Sequence, residues 1–269
     1  MNMQQHPNTI PDLIPSRFYK FVFYLLKIYF GLMRRIGLSN EIPFFIKFPL
    51  SYQNKNFEFH IKYQLDFDLI KDTFIKQEYI VHDSDTCGTR TIFDLGSNIG
   101  ATVVFFKLLW PEATVYAFEP DPRNIESLER NVAQFGESVI VVRKAVVPNR
   151  TNRITFYQAR RNHWSSSTIK RDCATTELTV PAITLCDAMK TYNISTIDVC
   201  KFDIEGGEFE VFSNFNDKDK ISVLIGELHY ELMRHTKKEF IDLFPKHEFV
   251  ETRPGEVVVL NKKTVTKEI

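Results

Sequence analysis

The segment from Thr91 to Pro122 constrains the fold of this chain more than any other part of the sequence. It begins with a short apolar run and continues through a turn that contains Gly96 and Gly100. A longer apolar stretch follows, and then a second short run that ends at Glu119. This order is typical of a strand, a turn, a helix and a second strand in a parallel α/β sheet. The turn and Glu119 would then lie side by side at the carboxyl ends of neighbouring strands, where such sheets bind nucleotide-like ligands.

The spacing of residues within this turn distinguishes between two classes of cofactor. The chain reads D-x-G-x-x-x-G from Asp94 to Gly100. Asn98 stands where the dinucleotide fingerprint has the glycine that lets the backbone approach a pyrophosphate. A diphosphate would therefore meet a side chain. S-adenosylmethionine has no phosphate and carries an amino acid at its charged end, so the turn favours S-adenosylmethionine.

The residues of the turn and Glu119 have distinct expected roles in binding S-adenosylmethionine. We expect Asp94 to lie near the ammonium group of the cofactor, directly or through water. Gly96 would form the turn, and Gly100 would let the following helix pack closely on the strand. Glu119 suits the ribose, because a carboxylate can accept hydrogen bonds from both hydroxyls. The alternative for the turn alone is a buried strand that happens to end in Asp-x-Gly, and Glu119 at the next strand end argues against it.

Charge and cysteine content narrow the class of protein further. The 34 basic and 34 acidic residues of the 269-residue chain cancel, so no global charge indicates a nucleic-acid partner. The four cysteines include no C-x-x-C pair, which argues against a zinc site and against a disulfide framework. We therefore expect a reduced protein of the cytoplasm.

The pattern beyond the turn predicts an α/β fold. From residue 91 onward, apolar runs typical of buried strands alternate with helical segments, which indicates a doubly wound, mostly parallel sheet. Residues 249–260 predict a C-terminal antiparallel hairpin, which fits methyltransferases better than dehydrogenases. Residues 153–180 predict an inserted hairpin, and residues 231–244 predict a single helix.

Residues 17–35 form an apolar, aromatic segment with regularly spaced cations. On a helical wheel its five lysines and arginines share one sector about a quarter-turn wide, and the rest is apolar. No apolar run reaches the ~18 residues of a membrane-spanning helix. Two interpretations stay open: a helix packed on the catalytic domain with its basic face in water, or an interfacial helix that contacts anionic lipid. The second would place the protein at the membrane periphery.

A second chemical cluster lies at residues 201–208, with the sequence KFDIEGGE. Asp203 comes where a predicted strand ends, so it should face the same crevice as the glycine turn. The glycine pair after it allows a sharp turn near a ligand. One strand later, Glu227 and His229 lie on the same side by period-two alternation. Asp203 and His229 are therefore expected to converge on a substrate hydroxyl.

Together these blocks resemble the FkbM-type S-adenosylmethionine-dependent methyltransferases. The matching pieces are, in family order, DLGSNIG at 94–100, VYAFEPDP at 115–122, KFDIEGGE at 201–208 and GELH at 226–229. FIKQEY at 74–79 and the serines at 165–167 resemble weaker parts of the pattern.

The resemblance implies a Rossmann-like class I methyltransferase fold over residues 66–269, preceded by an N-terminal extension over residues 1–65 that matches nothing in the family. It implies O-methylation of a hydroxyl on a sugar, glycan or other polyhydroxylated small molecule. The cofactor would be S-adenosylmethionine, and the residues expected to bind it are Asp94, Gly96, Asn98, Gly100, Glu119 and Pro120. This chain departs from the family pattern at Ser97 and Gly207, where alanine is common.

Methylation of a sugar hydroxyl calls for a proton acceptor, because the hydroxyl is a poor nucleophile at neutral pH. We assign His229 as the base, since its ordinary pKa is ~6.5. Asp203 is the second choice, as base or as orienter of the substrate. The alternatives are a histidine bonded to backbone and an aspartate that caps the next helix. Glu205, Glu208 and Glu227 could join these two residues around a divalent cation, but no metal is expected.

The polar loop at residues 162–168 is expected near the substrate side of the site. Trp164 would stack on a sugar face, and Ser166 and Glu205 are further candidates for substrate contact. The alternative is a surface loop with one anchoring tryptophan.

Two other functions stay open from the sequence. A nicotinamide-dependent oxidoreductase shares the strand, the turn and the acidic residue, but it is disfavoured by the missing middle glycine. A non-catalytic binding protein on a degenerate fold would have no need of Asp94, Gly96, Gly100 and Glu119 together.

Overall fold

The computed structural model describes residues 7–37, 41–81, 88–159, 166–170, 174–253 and 257–262 of the chain. The N-terminal elements are α1 (Ile10–Leu13), α2 (Arg17–Arg35), β1 (Glu41–Tyr52), β2 (Lys55–Tyr63) and α3 (Gln64–Phe74). The next elements are β3 (Thr91–Leu95), α4 (Ala101–Leu109), β4 (Thr114–Phe118), α5 (Pro122–Val132), β5 (Val139–Val142), β6 (Ala145–Val146), β7 (Arg153–Ala159) and β8 (Ala174–Ile183). The last elements are α6 (Leu185–Thr191), β9 (Ile197–Phe202), α7 (Glu208–Ser213), β10 (Ile221–Glu227), α8 (Tyr230–Met233), α9 (Lys237–Asp242), β11 (His247–Arg253) and β12 (Val257–Lys262).

Seven strands form the central sheet in the order β11-β12-β10-β9-β3-β4-β5. The strands from β10 to β5 are parallel to their neighbours, and β12 is antiparallel to both β10 and β11. The prediction of a doubly wound, mostly parallel sheet with a C-terminal antiparallel hairpin is confirmed. The inserted hairpin is also present, as the antiparallel pair β7 and β8.

The register of the sheet brings three strand ends to one edge. Leu95, the last residue of β3, lies opposite Phe118 of β4 on one side and Phe202 of β9 on the other. Because the three strands are parallel and end at the same level, the residues that follow them emerge together.

The N-terminal elements pack directly on the sheet domain. Phe57 of β2 stacks on Phe74 of α3 with ring centroids 5.0 Å apart. Phe74 in turn contacts Phe105 of α4 edge-on at 5.4 Å, and Tyr52 of β1 lies 5.7 Å from the same ring. The domain boundary predicted at residue 65 stays a prediction. One cluster of buried apolar side chains contains residues from both sides of this boundary.

Helix α2 contacts the rest of the protein through one narrow stripe. Phe23, Leu26 and Phe30 are its buried residues, and the Phe23 ring packs edge-on against Phe67 of α3 at 5.0 Å. Among the described helices, none combines the length and the hydropathy needed to cross a bilayer.

The single helix predicted at residues 231–244 is wrong. The structure has two short helices there, because Arg234 adopts a left-handed conformation with φ of 57° and ends α8. Helix α9 then begins at Lys237 and is capped by Thr236, whose hydroxyl accepts a hydrogen bond from the backbone N–H of Glu239. The carboxylate of Glu239 accepts from the Thr236 N–H in return, which completes a capping box that the sequence analysis missed.

Candidate active site

The three aligned strand ends enclose a cavity of about 350 Å³. Gly96 and Ser97 follow β3, and both donate their backbone N–H groups to the carbonyl of Phe118 at 3.0 Å. Asp203 follows β9 and donates its backbone N–H to the carbonyl of Leu95 at 3.0 Å. The loops after β3, β4 and β9 are thus tied to one another through backbone, and the cavity has a fixed floor.

Gly96 is required by the closeness of two of these loops. Its φ is +78°, and a Cβ built there would lie 1.9 Å from the carbonyl oxygen of Asp203. No side chain fits in that space, so the contact between the glycine turn and the 203 loop depends on this glycine.

Glu119 lies beneath the glycine turn and is almost fully buried. One of its oxygens accepts from the Asn98 N–H and the other from the Asp121 N–H, both at 2.8 Å. Burial raises the pKa of Glu119 to about 7, against the lowering effect of the Asp121 N–H. Each carboxylate oxygen has a further lone pair, so Glu119 can also accept from a ligand hydroxyl.

Asn98 is held at the edge of the cavity in a left-handed conformation, with φ of 50°. Asparagine tolerates this conformation better than most residues. Its side-chain oxygen is buried and forms no hydrogen bond with any described residue. Since buried polar atoms are nearly always hydrogen-bonded in folded proteins, this oxygen suits a donor from a bound ligand.

Asp94 lies behind the glycine turn. It is fully buried beside Lys201, with 3.2 Å between Oδ1 and Nζ, and it accepts a hydrogen bond from the hydroxyl of Thr102. Lys201 also donates to the carbonyl of Gly96 at 2.8 Å. Asp94 therefore supports the turn from behind and does not line the cavity, and its contact with a cofactor stays a prediction.

Buried Lys201 keeps its charge. Burial alone would lower the pKa of this lysine, but the carboxylates of Asp94 and Asp203 outweigh that effect and raise it. Asp203 lies 3.9 Å from the Lys201 ammonium, so this one cation joins the glycine turn to the second cluster.

His229 and Asp203 lie together in the cavity. The Nε2 atom of His229 is 3.8 Å from Oδ1 of Asp203 and 3.4 Å from the nearer oxygen of Glu205. The other ring nitrogen, Nδ1, lies 2.9 Å from Oε1 of Glu208, whose side chain is completely buried. Glu208 thus holds one side of the imidazole, and Nε2 faces the cavity residues.

The surrounding carboxylates control the charge of this histidine. Burial alone would lower the pKa of His229, but the hydrogen bond with Glu208 and the charges of Asp203 and Glu208 outweigh it and raise the pKa to about 10. Burial and the charge of Asp203 also raise the pKa of Glu227 to about 7. His229 therefore carries a proton near neutral pH, and Glu227 is poised between its neutral and charged forms.

Eight of the predicted site residues line the cavity, two described ones do not, and one lies outside the described residues. Those that line it are Gly96, Asn98, Glu119, Pro120, Ser166, Asp203, Glu205 and His229. Asp94 lies behind the turn, and Gly100 packs on Leu128 of α5 instead of on a strand. Trp164 lies outside the described residues. The hydroxyl of Ser166 is engaged by the Arg123 guanidinium at 3.1 Å, so Ser166 holds its loop as well as facing the cavity.

The sequence analysis missed several residues that the structure places in or behind the site. Tyr79 donates from its hydroxyl to Asp203 at 3.4 Å, and its neighbour Glu78 lines the cavity. Both belong to the FIKQEY block, so the block carried a signal that the sequence analysis did not use. Lys201 likewise falls within KFDIEGGE and was missed. Glu208 of the same block was considered only as a possible metal ligand, and no pattern showed that either residue would be buried.

Acidic residues outnumber basic residues in the lining of the cavity. Its lining contains three basic residues, which are Lys144, Lys201 and His229. It also contains six carboxylates, which are Asp72, Glu78, Glu119, Asp203, Glu205 and Glu227. Such a lining attracts a cationic ligand and repels a diphosphate.

One part of the cavity could also hold a metal ion. Asp203, Glu205 and His229 each offer one ligand atom, and these atoms lie within 4.8 Å of one another. Carboxylate oxygens and an imidazole nitrogen form a donor set that divalent cations accept.

The known proteins that this chain resembles are methyltransferases. The family model described as the methyltransferase FkbM domain matches residues 94–251. Methyltransferase sdnD of Sordaria araneosa is 26% identical, over 55% of this chain and 65% of that protein. The 31-O-demethyl-FK506 methyltransferase FkbM of Streptomyces tacrolimicus is 24% identical, over 60% of this chain and 74% of that protein. This chain therefore spans about two thirds of the length of the first of these relatives.

Among solved structures, the methyltransferase FkbM of Methylobacillus flagellatus KT resembles this chain with a TM-score of 0.46 and 14% identity. The resemblance covers 71% of this chain and 47% of that one.

Proposed function

Since the chain belongs to the FkbM methyltransferase domain family, with its Rossmann-like class I methyltransferase fold, we propose that it methylates a hydroxyl group with S-adenosylmethionine as the methyl donor. The acceptor that we propose is a sugar, a glycan or another polyhydroxylated small molecule. The observation that carries the choice of cofactor is the charge of the cavity, where six carboxylates face three basic residues.

That charge distinguishes S-adenosylmethionine from a nicotinamide dinucleotide. The former carries a sulfonium, an ammonium and one carboxylate group and therefore has a net positive charge, which the cavity carboxylates attract. The latter brings a diphosphate, which they repel. The side chain of Asn98 stands in the place of a dinucleotide-binding glycine, and its unsatisfied oxygen is an acceptor for an ammonium or hydroxyl donor. The residues present therefore fit S-adenosylmethionine.

The residues that would hold this cofactor come from the glycine turn and the end of β4. Glu119 has lone pairs free for the ribose hydroxyls, and Gly96 keeps the turn close to the 203 loop. When bound, S-adenosylmethionine supplies a methyl group on a sulfonium centre. The protein's contribution is to fix this group and the acceptor in line, and such positioning can lower a barrier by ~7–11 kcal/mol.

Proton removal from the acceptor hydroxyl falls to the second cluster. We assign Asp203 to orient the hydroxyl, because its buried Oδ1 forms no hydrogen bond with any described residue. We assign His229 Nε2 to accept the proton, with Glu208 holding Nδ1. The pKa of about 10 means that His229 is cationic at neutral pH while the cavity carboxylates are uncompensated. A positive charge held in the cavity lowers that pKa and frees the imidazole to act as a base.

The oxygen acceptor is supported by one relative and by the chemistry of the cavity. The relative from Streptomyces tacrolimicus is named for a 31-O-demethyl substrate, which places the transferred methyl group on oxygen in that protein. In this chain, Asp203 and Glu205 lie beside His229 and can accept hydrogen bonds from neighbouring hydroxyls of a polyol. The identity of the acceptor would follow from methyl-transfer assays with panels of glycans and polyketides.

Calorimetry with S-adenosylhomocysteine and with NADH tests the proposal first. We expect the wild-type chain to bind S-adenosylhomocysteine and not NADH. Glu119→Gln should weaken that binding, while Glu137→Gln, which alters an exposed carboxylate, should leave it unchanged. Binding of NADH instead would replace the proposal with an oxidoreductase, and binding of neither ligand would favour a non-catalytic protein on this fold.

A further inference from the structure

Helix α2 presents an apolar face to the solvent, on the side opposite to its packed stripe. Phe18 and Ile28 are 66% and 61% exposed, and Phe21 is 60% exposed. We call this surface the outer face of α2, and it consists of Phe18, Phe21, Tyr24, Leu25, Ile28, Leu32 and Ile36. These seven are most of the ten exposed large apolar residues in the described part of the chain. Apolar exposure is thus concentrated on one helix, which marks an interaction surface.

A line of cations borders the outer face. Helix α2 contains Arg17, Lys20, Lys27, Arg34 and Arg35 and no acidic residue. None of these five forms an ion pair with another described residue. The whole chain has equal numbers of acidic and basic residues, so everything outside α2 carries a net negative charge. The positive charge of this helix is therefore concentrated on one element, with only the longer-range influence, among the described carboxylates, of Asp12 on Lys20 and of Asp68 on Lys27.

The helix is held rigidly enough to present this face. Phe23, Leu26 and Phe30 are buried against the domain, and the Phe23 ring contacts Phe67 of α3. An apolar stripe exposed to solvent, with cations along its border, is the arrangement of a helix that lies in the plane of a lipid interface.

We propose that the outer face of α2 docks on an anionic lipid surface. The apolar side chains would enter the boundary between headgroups and acyl chains, and the cations would contact the anionic headgroups. Charge favours lipid over a second copy of the chain, because a two-fold pairing of this face would bring the unpaired cations of both copies together.

The docked surface would lie close to the proposed catalytic cavity. Helix α3 contacts α2 through Phe67, and three other residues of α3, Leu69, Asp72 and Thr73, line the cavity. Helix α2 itself and helix α3, each with a diameter of about 10 Å, lie between the lipid-facing surface and the site. This arrangement suits an acceptor presented at a membrane surface, although docking itself does not depend on the proposed methyl transfer.

Vesicle flotation of the full 269-residue chain tests the proposal. The probes are phosphatidylcholine vesicles with and without phosphatidylglycerol, at low and high ionic strength. We expect flotation only with the anionic vesicles, and we expect added salt to weaken it because headgroup charge is screened. Failure to float with anionic vesicles, or equal flotation with both vesicle types, would overturn the proposal.

Three variants separate the apolar and the charged contributions. In the first, Phe21→Ser, Leu25→Ser and Ile28→Ser together should reduce partitioning by at least about tenfold. In the second, Lys20→Gln, Lys27→Gln and Arg34→Gln should reduce it roughly fivefold for each cation removed. The control removes three exposed cations elsewhere, Lys190, Lys220 and Lys238, and should float like the wild type.

Light scattering on the same variants addresses the second-copy alternative. All substituted side chains of the first variant are exposed, so we expect its fold and thermal unfolding to match the wild type. A wild-type dimer that the serine variant abolishes, without any vesicle binding, would show that the outer face pairs with itself and would overturn the proposal. A wild-type monomer that binds anionic vesicles supports it.

Discussion

The imidazole Nδ1 of His229 lies 2.9 Å from the completely buried carboxylate of Glu208. This contact fixes the ring and leaves Nε2 facing the cavity, 3.8 Å from Asp203. A buried glutamate behind a histidine is an arrangement that sets both the orientation and the proton affinity of the imidazole. The relationship therefore predicts that a residue outside the cavity lining controls the proposed base.

Replacement of Glu208 should lower the proton affinity of His229. Burial alone would lower the pKa of His229, and the Glu208 hydrogen bond is the strongest influence that raises it to about 10. In Glu208→Gln that influence is weakened, so the imidazole should lose its proton at lower pH. A side-chain NMR titration of the histidines measures this without any acceptor. The matched control is Glu210→Gln, which alters an exposed carboxylate of the same helix, and a titration identical in both variants would refute the positioning role.

His229 should make the folded protein less stable as the pH rises above neutral. The pKa of His229 is about 10 in the folded protein and ~6.5 in an unfolded chain. Between these two pH values the folded protein keeps a proton that the unfolded chain has released. The stabilisation is complete below the unfolded pKa and is lost as the pH rises through the folded one. We expect the Tm of the wild type to fall across this window and the Tm of His229→Gln to fall less. His235→Gln is the control and should follow the wild type.

The two glycines of the KFDIEGGE block should differ in their tolerance of alanine. Gly206 has φ of +106°, and a Cβ there would lie 2.6 Å from Cβ of Leu232. Gly207 has an ordinary φ of −88°, and the nearest atom to its Cβ would be 3.4 Å away. Gly206→Ala should therefore cost about 1–3 kcal/mol of unfolding free energy, whereas Gly207→Ala should stay within about 0.5 kcal/mol of the wild type. Urea unfolding of both variants measures the difference, and equal losses would contradict the geometry.

The N-terminal extension should be part of the cooperative fold. Phe74 is fully buried between Phe57 of the extension and Phe105 of the sheet domain. Phe74→Ala should cost about 3–5 kcal/mol and lower the stability of the whole chain in one transition. Phe21→Ala removes a ring of the same size from an exposed position and should cost little. Separate transitions for the two parts of the chain would show instead that they fold independently.

Chelation should leave cofactor binding unchanged. Asp203, Glu205 and His229 lie close enough to share a cation, but the contacts proposed for the cofactor, at Glu119 and Asn98, involve none of these three residues. We expect the same heat of S-adenosylhomocysteine binding with and without EDTA. A loss of binding in EDTA that added Mg²⁺ or Mn²⁺ restores would establish a metal site at these three residues.

The convergence of Asp203 and His229 could be predicted from sequence because it depends on simple periodicities. Parallel strands end at one edge, and the alternation expected along the chain puts residues 227 and 229 on one side. In the structure β10 ends at Glu227, and His229, two residues later, still lines the same cavity. The burial of Glu208 could not be predicted in this way. Glu205 and Gly206 both have positive φ, so the chain reverses before α7 begins and Glu208 points inward. A glutamate in the first turn of a helix otherwise suggests a solvated face.

The helical wheel of α2 shows a similar limit. The wheel identified the sector of cations, but it could not show which of the remaining apolar side chains would face the domain. The packing against Phe67 decides this, because it buries Phe23 and leaves Phe21 in solvent. The contact between Phe23 and Phe67, which are more than thirty residues apart in the chain, thus determines which apolar side chains of α2 are exposed.

The contact between Gly96 and the carbonyl of Asp203 should make the cofactor-binding turn and the acceptor-binding loop evolve together. No side chain separates the cofactor turn from the residue that we assign to orient the acceptor, so a backbone shift in one must move the other. A relative that adapts to a new acceptor by displacing Asp203 would therefore disturb its own hold on the methyl donor. We expect acceptor range to diverge instead in segments free of this contact, such as the hairpin of β7 and β8 and the residues around Arg234.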